Sequence, residues 1–409
     1  CSGVLLLIGV SMMVYQTGNH ELTKLDLSSN FGVFIFLAFG IKAAFPFLNG
    51  WLQDSYPESS PTGTVALSAF TTKLAIYALA RTFPGTETLI WIGAIMTAFP
   101  VFFAVIENDL RRVLSFSLNN QLGFMVVGIG IGTELSLNGT VAHAFVHIIY
   151  KALLFMSMGA VLHRVGTTKA SELGGLYKYM PLTTIFCIVG AMSISAFPLF
   201  SGFVAKSLIM SALGGQGLIL IYFVLFFASA GVLEHSGIKI PYFAFFAHER
   251  KTKVKEAPFN MLLAMGIAAT LCIGIGVYPK YLYSILPYVV DYQPYTIDHV
   301  VSQLQLLVFA ILAFLFLVKF KLYPSEIKST VLNSDWFYRK MLPGIGRPLF
   351  KTLSSIINKV YLLIGLLFKS SLGRAKSFTE VHYIKVTTPG FAALVLISIL
   401  FFMLIIAVI

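Results

Sequence analysis

Charge is scarce in this sequence. Only 11% of its 409 residues are Asp, Glu, Lys or Arg, whereas a soluble domain carries about 25% to cover its surface. That scarcity excludes water as the main solvent. Cysteine is nearly absent: Cys1, Cys187 and Cys272 stand alone in or beside apolar stretches, which gives neither a disulfide framework nor a metal-ligand spacing and leaves them as packing residues. Acidic residues are outnumbered, 17 against 29 Lys and Arg. Strand-like runs are hardly present, and no glycine fingerprint for nucleotide follows one.

Apolar runs of about 20 residues, each long enough to cross a hydrocarbon core, recur along almost the whole chain. They fall at 1–15, 31–54 with a break near Pro46, 62–83, 88–106, 117–132, 138–161, 181–212 with a break near Pro198, 217–235, 258–278, 299–319 and 387–409. The expected fold is an all-α polytopic membrane protein of about eleven transmembrane helices, two of them broken. The chain opens inside an apolar run with no initiator Met and no basic n-region, unlike a signal peptide; the expectation is a fragment whose N-terminal part is missing.

If the spans alternate, 22 of the 29 basic residues fall on one side: Arg111 and Arg112; Arg164, Lys169 and Lys178; Lys239, Arg250, Lys251, Lys253 and Lys255; and twelve more from Lys319 to Lys385. Lys24, Arg81 and Lys280 fall on the other. The positive-inside rule makes the basic side cytoplasmic. Segment 321–386 interleaves its basic residues with Leu353, Ile356, Ile357, Val360 and Leu363, as a helix lying along the membrane surface does. Anionic lipid accounts for that charge, so nucleic acid is not an expected partner.

Four lysines remain inside apolar runs: Lys42, Lys73, Lys151 and Lys206. A charge at the bilayer centre costs about 2.5–3.5 kcal/mol on the lenient insertion scale, so four in one subunit need partners, water or a function. One lysine near a span end can snorkel to the interface; four doing so is a poor account. Lys42 precedes Pro46 and Lys206 follows Pro198. A proline removes a backbone donor and clashes with the preceding turn. A discontinuous helix at membrane depth suits a polar cavity, although a simple kink is the competing reading.

His143, His147 and Lys151 are spaced four apart in one apolar span and make a single polar stripe on a helix. Imidazole can donate and accept hydrogen bonds and titrates near neutrality, which suits a proton relay. Packing histidines are the plain alternative, and no second ligand cluster at membrane depth favours a metal. Lys73 follows Thr71 and Thr72, whose hydroxyls can hold water, and extends the row. Glu234 and His235 are expected to end the span starting near 217 and to offer an exit. Glu107, Asp109, Arg111 and Arg112 are read as solvated loop charges.

These features together resemble the antiporter-like membrane subunits shared by Mrp-type sodium/proton antiporters, complex I and membrane-bound hydrogenases, nearest to the D-type subunits of the Mrp group. The resemblance rests on Lys42 to Asp54, Thr64 to Lys73, Asp109 to Ser117, Gln121 to Phe124, the His143–His147–Lys151 span and Phe197 to Lys206. It implies two inverted five-helix repeats, a lateral amphipathic helix and a last anchoring span. The divisions would be 1–83 (end of the first repeat, incomplete), 84–247 (second repeat), 248–320 (two further helices), 321–386 (lateral segment) and 387–409 (anchor).

By the same resemblance, Lys42 would be the channel lysine on the first broken helix and Lys73 the connecting lysine. His143, His147 and Lys151 would form the central relay, and Lys206 would face the exit. The glutamate that pairs with the first-channel lysine in the family lies on the helix before this chain begins, so Lys42 is expected to lack that partner. A second departure is Ser60-Pro61-Thr62, where many members carry another proline.

The implied function is proton translocation within a multisubunit sodium or potassium/proton antiporter of a prokaryotic cytoplasmic membrane, beside other membrane subunits and lipid. No cofactor is expected in this chain, and on its own it would not be an enzyme. Two alternatives are a proton-pumping arm of a redox complex and a scaffold that has lost transport.

Overall fold

The computed structural model describes residues 1–247, 253–324, 331, 335–348 and 350–355. The span expected at 387–409 and most of segment 321–386 lie outside the described residues. The chain forms two compact units, 1–335 and 336–409. In the second, a π-helical turn at Phe337–Met341 leads into a helix whose Leu342, Ile345, Phe350 and Leu353 are exposed.

Among its described residues the first unit's regular elements are all helices, joined by loops that carry one isolated bridge between Asp109 and Lys169. Its helices are α1 (Ser2–Thr17), α2 (Asn30–Lys42), α3 (Gly50–Glu58), α4 (Pro61–Thr82), α5 (Glu87–Ile106), α6 (Leu110–Ile131) and α7 (Glu134–Val165), then α8 (Pro181–Ile194), α9 (Ser201–Gly215), α10 (Ile219–Val232), α11 (Lys239–Pro241), α12 (Phe259–Val277), α13 (Lys280–Ser284) and α14 (Ile297–Lys319). Helix starts follow local chemistry. Ser29, Ser60, Asp109, Thr133 and Thr296 each accept a hydrogen bond from a backbone N–H of the first turn, satisfying donors that a helix leaves orphaned. Gly18, Gly132 and Gly166 end helices in the left-handed conformation.

Ten of the eleven expected spans are present among the described residues, with α2/α3 and α8/α9 as the two broken ones. The breaks are copies of one another. α2 stops at Lys42 and α8 at Ile194, each four residues before its proline. Ala44 and Phe47 carry φ of 62° and 66°, Ala196 and Leu199 58° and 74°. The amide of Phe45 bonds to Gly40 and that of Phe197 to Met192, at 3.0 and 3.1 Å. A left-handed non-glycine residue costs about 1–2 kcal/mol, so two at each break persist only because the surrounding packing fixes them. At the second break, Gly276 of α12 lies against the carbonyl of Leu199, where a Cβ would come within 2.2 Å.

The core is centred on α6, of whose 22 residues only Arg112 and Ile131 are not buried. The 32-residue α7 packs on α6 and stands between α4 and α9, touching both.

Loop contacts sort the bundle into two ends. At one, Leu110 N donates to Thr168 O at 3.0 Å, Ala170 N to Asn108 O at 2.8 Å, and Arg164 Nε to Glu256 O at 2.8 Å; this is the basic end. At the other, Leu25 N donates to Thr82 O at 2.7 Å and Asn138 pairs with the Tyr288 backbone.

Two expectations are corrected. The span beginning near 217 does not end at Glu234 and His235. It continues through π-helical turns at Leu233–Ile238 and Tyr242–Phe246, with α11 between them, so Glu234 lies inside it. Lys239, assigned above to a basic loop, is buried, because its Nζ donates to the carbonyls of Ala104, Val105 and Glu107 at 3.0, 2.5 and 2.7 Å and satisfies the end of α5.

Candidate functional site

The site is built around α7. The four-residue spacing of His143, His147 and Lys151 puts all three on one face, and each is fully buried in the structure. The His143 and His147 rings lie 6.2 Å apart, centroid to centroid. Two partners to which the sequence reading gave no role at this stripe, Gln121 and Tyr150, complete this region. His143 Nε2 lies 3.2 Å from Gln121 Oε1 and 3.0 Å from the Tyr150 hydroxyl, which donates to Gln121 Oε1 at 3.1 Å. Gln121 Nε2 donates to Asn120 Oδ1 at 2.6 Å. The sequence signal was there: Asn119, Asn120 and Gln121 are three consecutive amides inside an apolar span.

α7 carries this stripe between two further buried lysines. On α4, Lys73 Nζ donates to the Ser68 carbonyl at 2.6 Å and approaches Thr72 Oγ1 at 3.5 Å. On α9, Lys206 Nζ donates to the Ile194 carbonyl at 2.9 Å and stands 5.1 Å from the centre of the Phe124 ring. That ring is itself 5.9 Å from His143, so Phe124 is the apolar separator between the α9 lysine and the α7 stripe. Lys151 Nζ and both ring nitrogens of His147 are buried without a hydrogen-bond partner in the protein. Buried polar atoms of that kind are satisfied by water or mark a strained, functional position. The Ser193 and Ser201 hydroxyls bond at 2.8 Å across the second break.

Lys42 departs from the expected buried row. It is exposed at the end of α2, with Nζ 5.8 Å from the centre of the Trp51 ring; the Trp51 indole meanwhile donates to the Ile41 carbonyl at 2.9 Å. Glu234 is half-buried and accepts from the Tyr323 hydroxyl at 2.5 Å. His235 Nδ1 meets Ser236 Oγ at 2.9 Å, and that hydroxyl reaches Ser117 on α6 at 2.7 Å. These two residues sit in a π-helical turn, a feature found often at functional sites, and their helix packs on α6 and α8 rather than on α4.

The charges read as solvated at 107–112 are largely withdrawn from solvent instead. Arg111 is 2% exposed; its guanidinium donates to the carbonyls of Pro57 and Ser59 at 2.7 and 2.8 Å and to the Thr64 hydroxyl. Arg112 pairs with Glu107 at 3.1 Å and Asp54 at 3.4 Å. Burial raises the Glu107 carboxyl above its ordinary value of 4.5, against backbone donors and Arg112, which pull it down.

A family model described as NADH:quinone oxidoreductase/Mrp antiporter, transmembrane, matches residues 1–232. The chain is 32% identical over 311 residues to the D-type subunit of the Na(+)/H(+) antiporter of Alkalihalophilus pseudofirmus, covering 69% of this chain and 62% of that protein. It is 27% identical over 320 residues to hydrogenase-4 component B of Escherichia coli, covering 68% and 48%. Its fold is similar to a chain of the Mrp complex from Dietzia sp. DQ12-45-1b, with a TM-score of 0.64, 24% identity and coverage of 69% and 64%. A chain of the membrane-bound sulfane sulfur reductase, an archaeal respiratory membrane complex, gives 0.62, 25%, 69% and 61%. The chain spans less than two thirds of the length of the curated relatives it matches. Its two matching helix breaks, its buried lysine and histidine row and a family match over more than half its length give one identification: this integral membrane chain belongs to the NADH:quinone oxidoreductase/Mrp antiporter transmembrane family.

Proposed function

We propose that this chain is a proton-translocating subunit of a multisubunit sodium or potassium/proton antiporter, and that Lys73, His143, His147, Lys151 and Lys206 carry the proton in the membrane plane. One observation carries the reading: α7, with its stripe of His143, His147 and Lys151, stands between the α4 that bears Lys73 and the α9 that bears Lys206. Five ionisable groups in contacting helices can act on one another by charge. Two unit charges about 8 Å apart at an effective dielectric near 20 interact by about 2 kcal/mol. A proton arriving on one lysine therefore drives the release of the next. Water in the two breaks, at Pro46 and Pro198, would connect the row to either side, with Lys42 serving the first break and Glu234 a branch towards the basic end.

In this reading the basic end faces the cytoplasm of a prokaryotic cell. The partners are other membrane subunits of the same complex and surrounding lipid, and the chain holds no cofactor of its own. The antiporter reading rests on the 32% identity to a D-type antiporter subunit. A second reading, a proton-pumping arm of a redox complex, is favoured by the similarity to NADH-ubiquinone oxidoreductase chain 5 of Talaromyces marneffei, 29% identical over 245 residues. A transport-dead scaffold fits poorly, because it would retain the desolvation cost of buried lysines for nothing.

The test uses everted vesicles from antiporter-deficient cells carrying the complete gene and its neighbours. With an acid interior and a pH-sensitive dye, adding sodium or potassium restores the dye signal if the complex is an antiporter. Acidification on adding a reductant, with no response to cation, assigns it to a redox pump.

A further inference from the structure

α14 opens on a polar third, with His299 and Gln303 one turn apart, and brings these groups to the second break. Its Gln303 donates from Nε2 to the Ser195 carbonyl at 3.4 Å, directly beneath the end of α8. One turn earlier, on the same face, His299 stacks on Phe203 of α9 with ring centroids 4.5 Å apart and planes 20° from parallel. His299 Nδ1 lies 2.7 Å from the Pro294 carbonyl. A carbonyl only accepts, so Nδ1 carries the hydrogen, and in the neutral ring Nε2 is left with the lone pair.

Lys206, Ser207, His299 and Gln303 line one cavity of about 30 Å3. A single water needs roughly 10–15 Å3 of such space and two or more polar partners, so the cavity has room and chemistry for one or two waters between the lysine and the imidazole. His299 is in the first turn of α14, at the end of the bundle opposite the basic loops, where Thr296, Ile297 and Asp298 are exposed. The cavity thus reaches from the break to within a turn of that surface.

We propose, building on the relay reading above, that His299 is the proton gate between Lys206 and the face opposite the basic loops. A proton leaves the Lys206 ammonium, crosses the cavity water and binds His299 Nε2. The lysine becomes a neutral amine and the ring an imidazolium that keeps its Nδ1–H bond to Pro294. Release of the Nε2 proton to solvent resets the gate, and the reverse order admits a proton. Net charge in the pair is conserved at the transfer step, and the stacked Phe203 ring holds the imidazole in place.

The test reconstitutes the complex, with its full-length subunit, into phosphatidylethanolamine/phosphatidylglycerol vesicles and follows proton flux with a pH dye. His299→Gln keeps a polar amide near the Nε2 position but cannot carry a proton. Flux is expected to fall about a hundredfold, the scale of a lost proton-transfer group, and to recover in part when imidazole is added to the buffer. Wild-type flux in His299→Gln overturns the gate. So does a loss that imidazole does not relieve, which would assign His299 to packing alone. Lys206→Ala run in parallel separates the two readings. If it transports normally the relay itself fails, whereas a silent Lys206→Ala beside an active His299→Gln removes only the gate.

Discussion

Lys206 reaches back across the second break and donates its ammonium hydrogen to the carbonyl of Ile194, the last residue of α8, at 2.9 Å. The lysine closes an orphaned helix end and, in the relay proposed above, would also hold a proton at membrane depth. Replacing it separates them. Lys206→Ala is expected to bring transport to background while the complex still assembles. Leaving the Ile194 carbonyl without its donor costs about 1–3 kcal/mol, enough to lower the melting temperature but not to unfold a bundle of this size. Size-exclusion chromatography and dye-based flux on the same preparation check both halves. Normal flux in this variant would remove Lys206 from the pathway.

The Tyr150 hydroxyl ties His143 to Gln121. Tyr150→Phe keeps the ring and its packing and deletes only that group. If His143 carries the proton as proposed, losing one net hydrogen bond that orients it, about 1 kcal/mol, corresponds to a rate reduction of about fivefold to tenfold. Initial rates of cation-induced proton movement measure it. An unchanged rate would mean that the His143–Gln121 contact alone fixes the imidazole.

Spans and breaks were legible because both are local. Twenty apolar residues or a proline in their midst act wherever they stand, and Ala-Phe-Pro-Phe and Ala-Phe-Pro-Leu fold the same way for the same reason. The four-residue stripe on α7 was equally local. Burial of the charges was not. Arg111 and Lys239 sit near helix ends and so read as solvated, but the ends of α3 and α5 leave carbonyls that nothing in their own sequence can satisfy. The cations that satisfy them come from α6, 54 residues from Pro57, and from α11, 135 residues from Ala104. Lys42 failed in the opposite sense, since its apolar neighbours say nothing about which side of α2 other helices cover. His299 was missed because a histidine in the first turn of a span looks like a water-facing residue until α9 is seen beside it.

Arg111 illustrates how much a distant cation can stabilise. Its guanidinium gathers the carbonyls of Pro57 and Ser59 and the Thr64 hydroxyl, fixing the turn between α3 and α4. Arg111→Ala leaves the part-buried Pro57 and Ser59 carbonyls without their donor, while the Thr64 hydroxyl keeps its own bond to Tyr56 O, a loss of about 1–3 kcal/mol for each unsatisfied carbonyl. Expression of folded complex is expected to collapse. Arg111→Lys recovers only part of it, because an ammonium cannot span the same fork of acceptors. Thermal melts of the solubilised complex distinguish the variants, and equal stability of Arg111→Lys and wild type would show that charge alone suffices.

The Glu107 carboxyl is raised above 4.5 by burial, despite Arg112 and the backbone donors around it. A carboxyl that binds its proton more tightly in the folded than in the unfolded state adds stability as pH falls. The contribution begins near the folded value and is complete below the unfolded one. Above the folded value that contribution is absent, and what remains is the pair with Arg112. Glu107→Gln has no such titration. The melting temperature of wild type relative to that of Glu107→Gln should therefore rise as pH is lowered towards 4.5 and level off below it. If wild type instead loses ground to Glu107→Gln on acidification, the Arg112 pair outweighs the burial, and the carboxylate is held ionised rather than made easier to protonate.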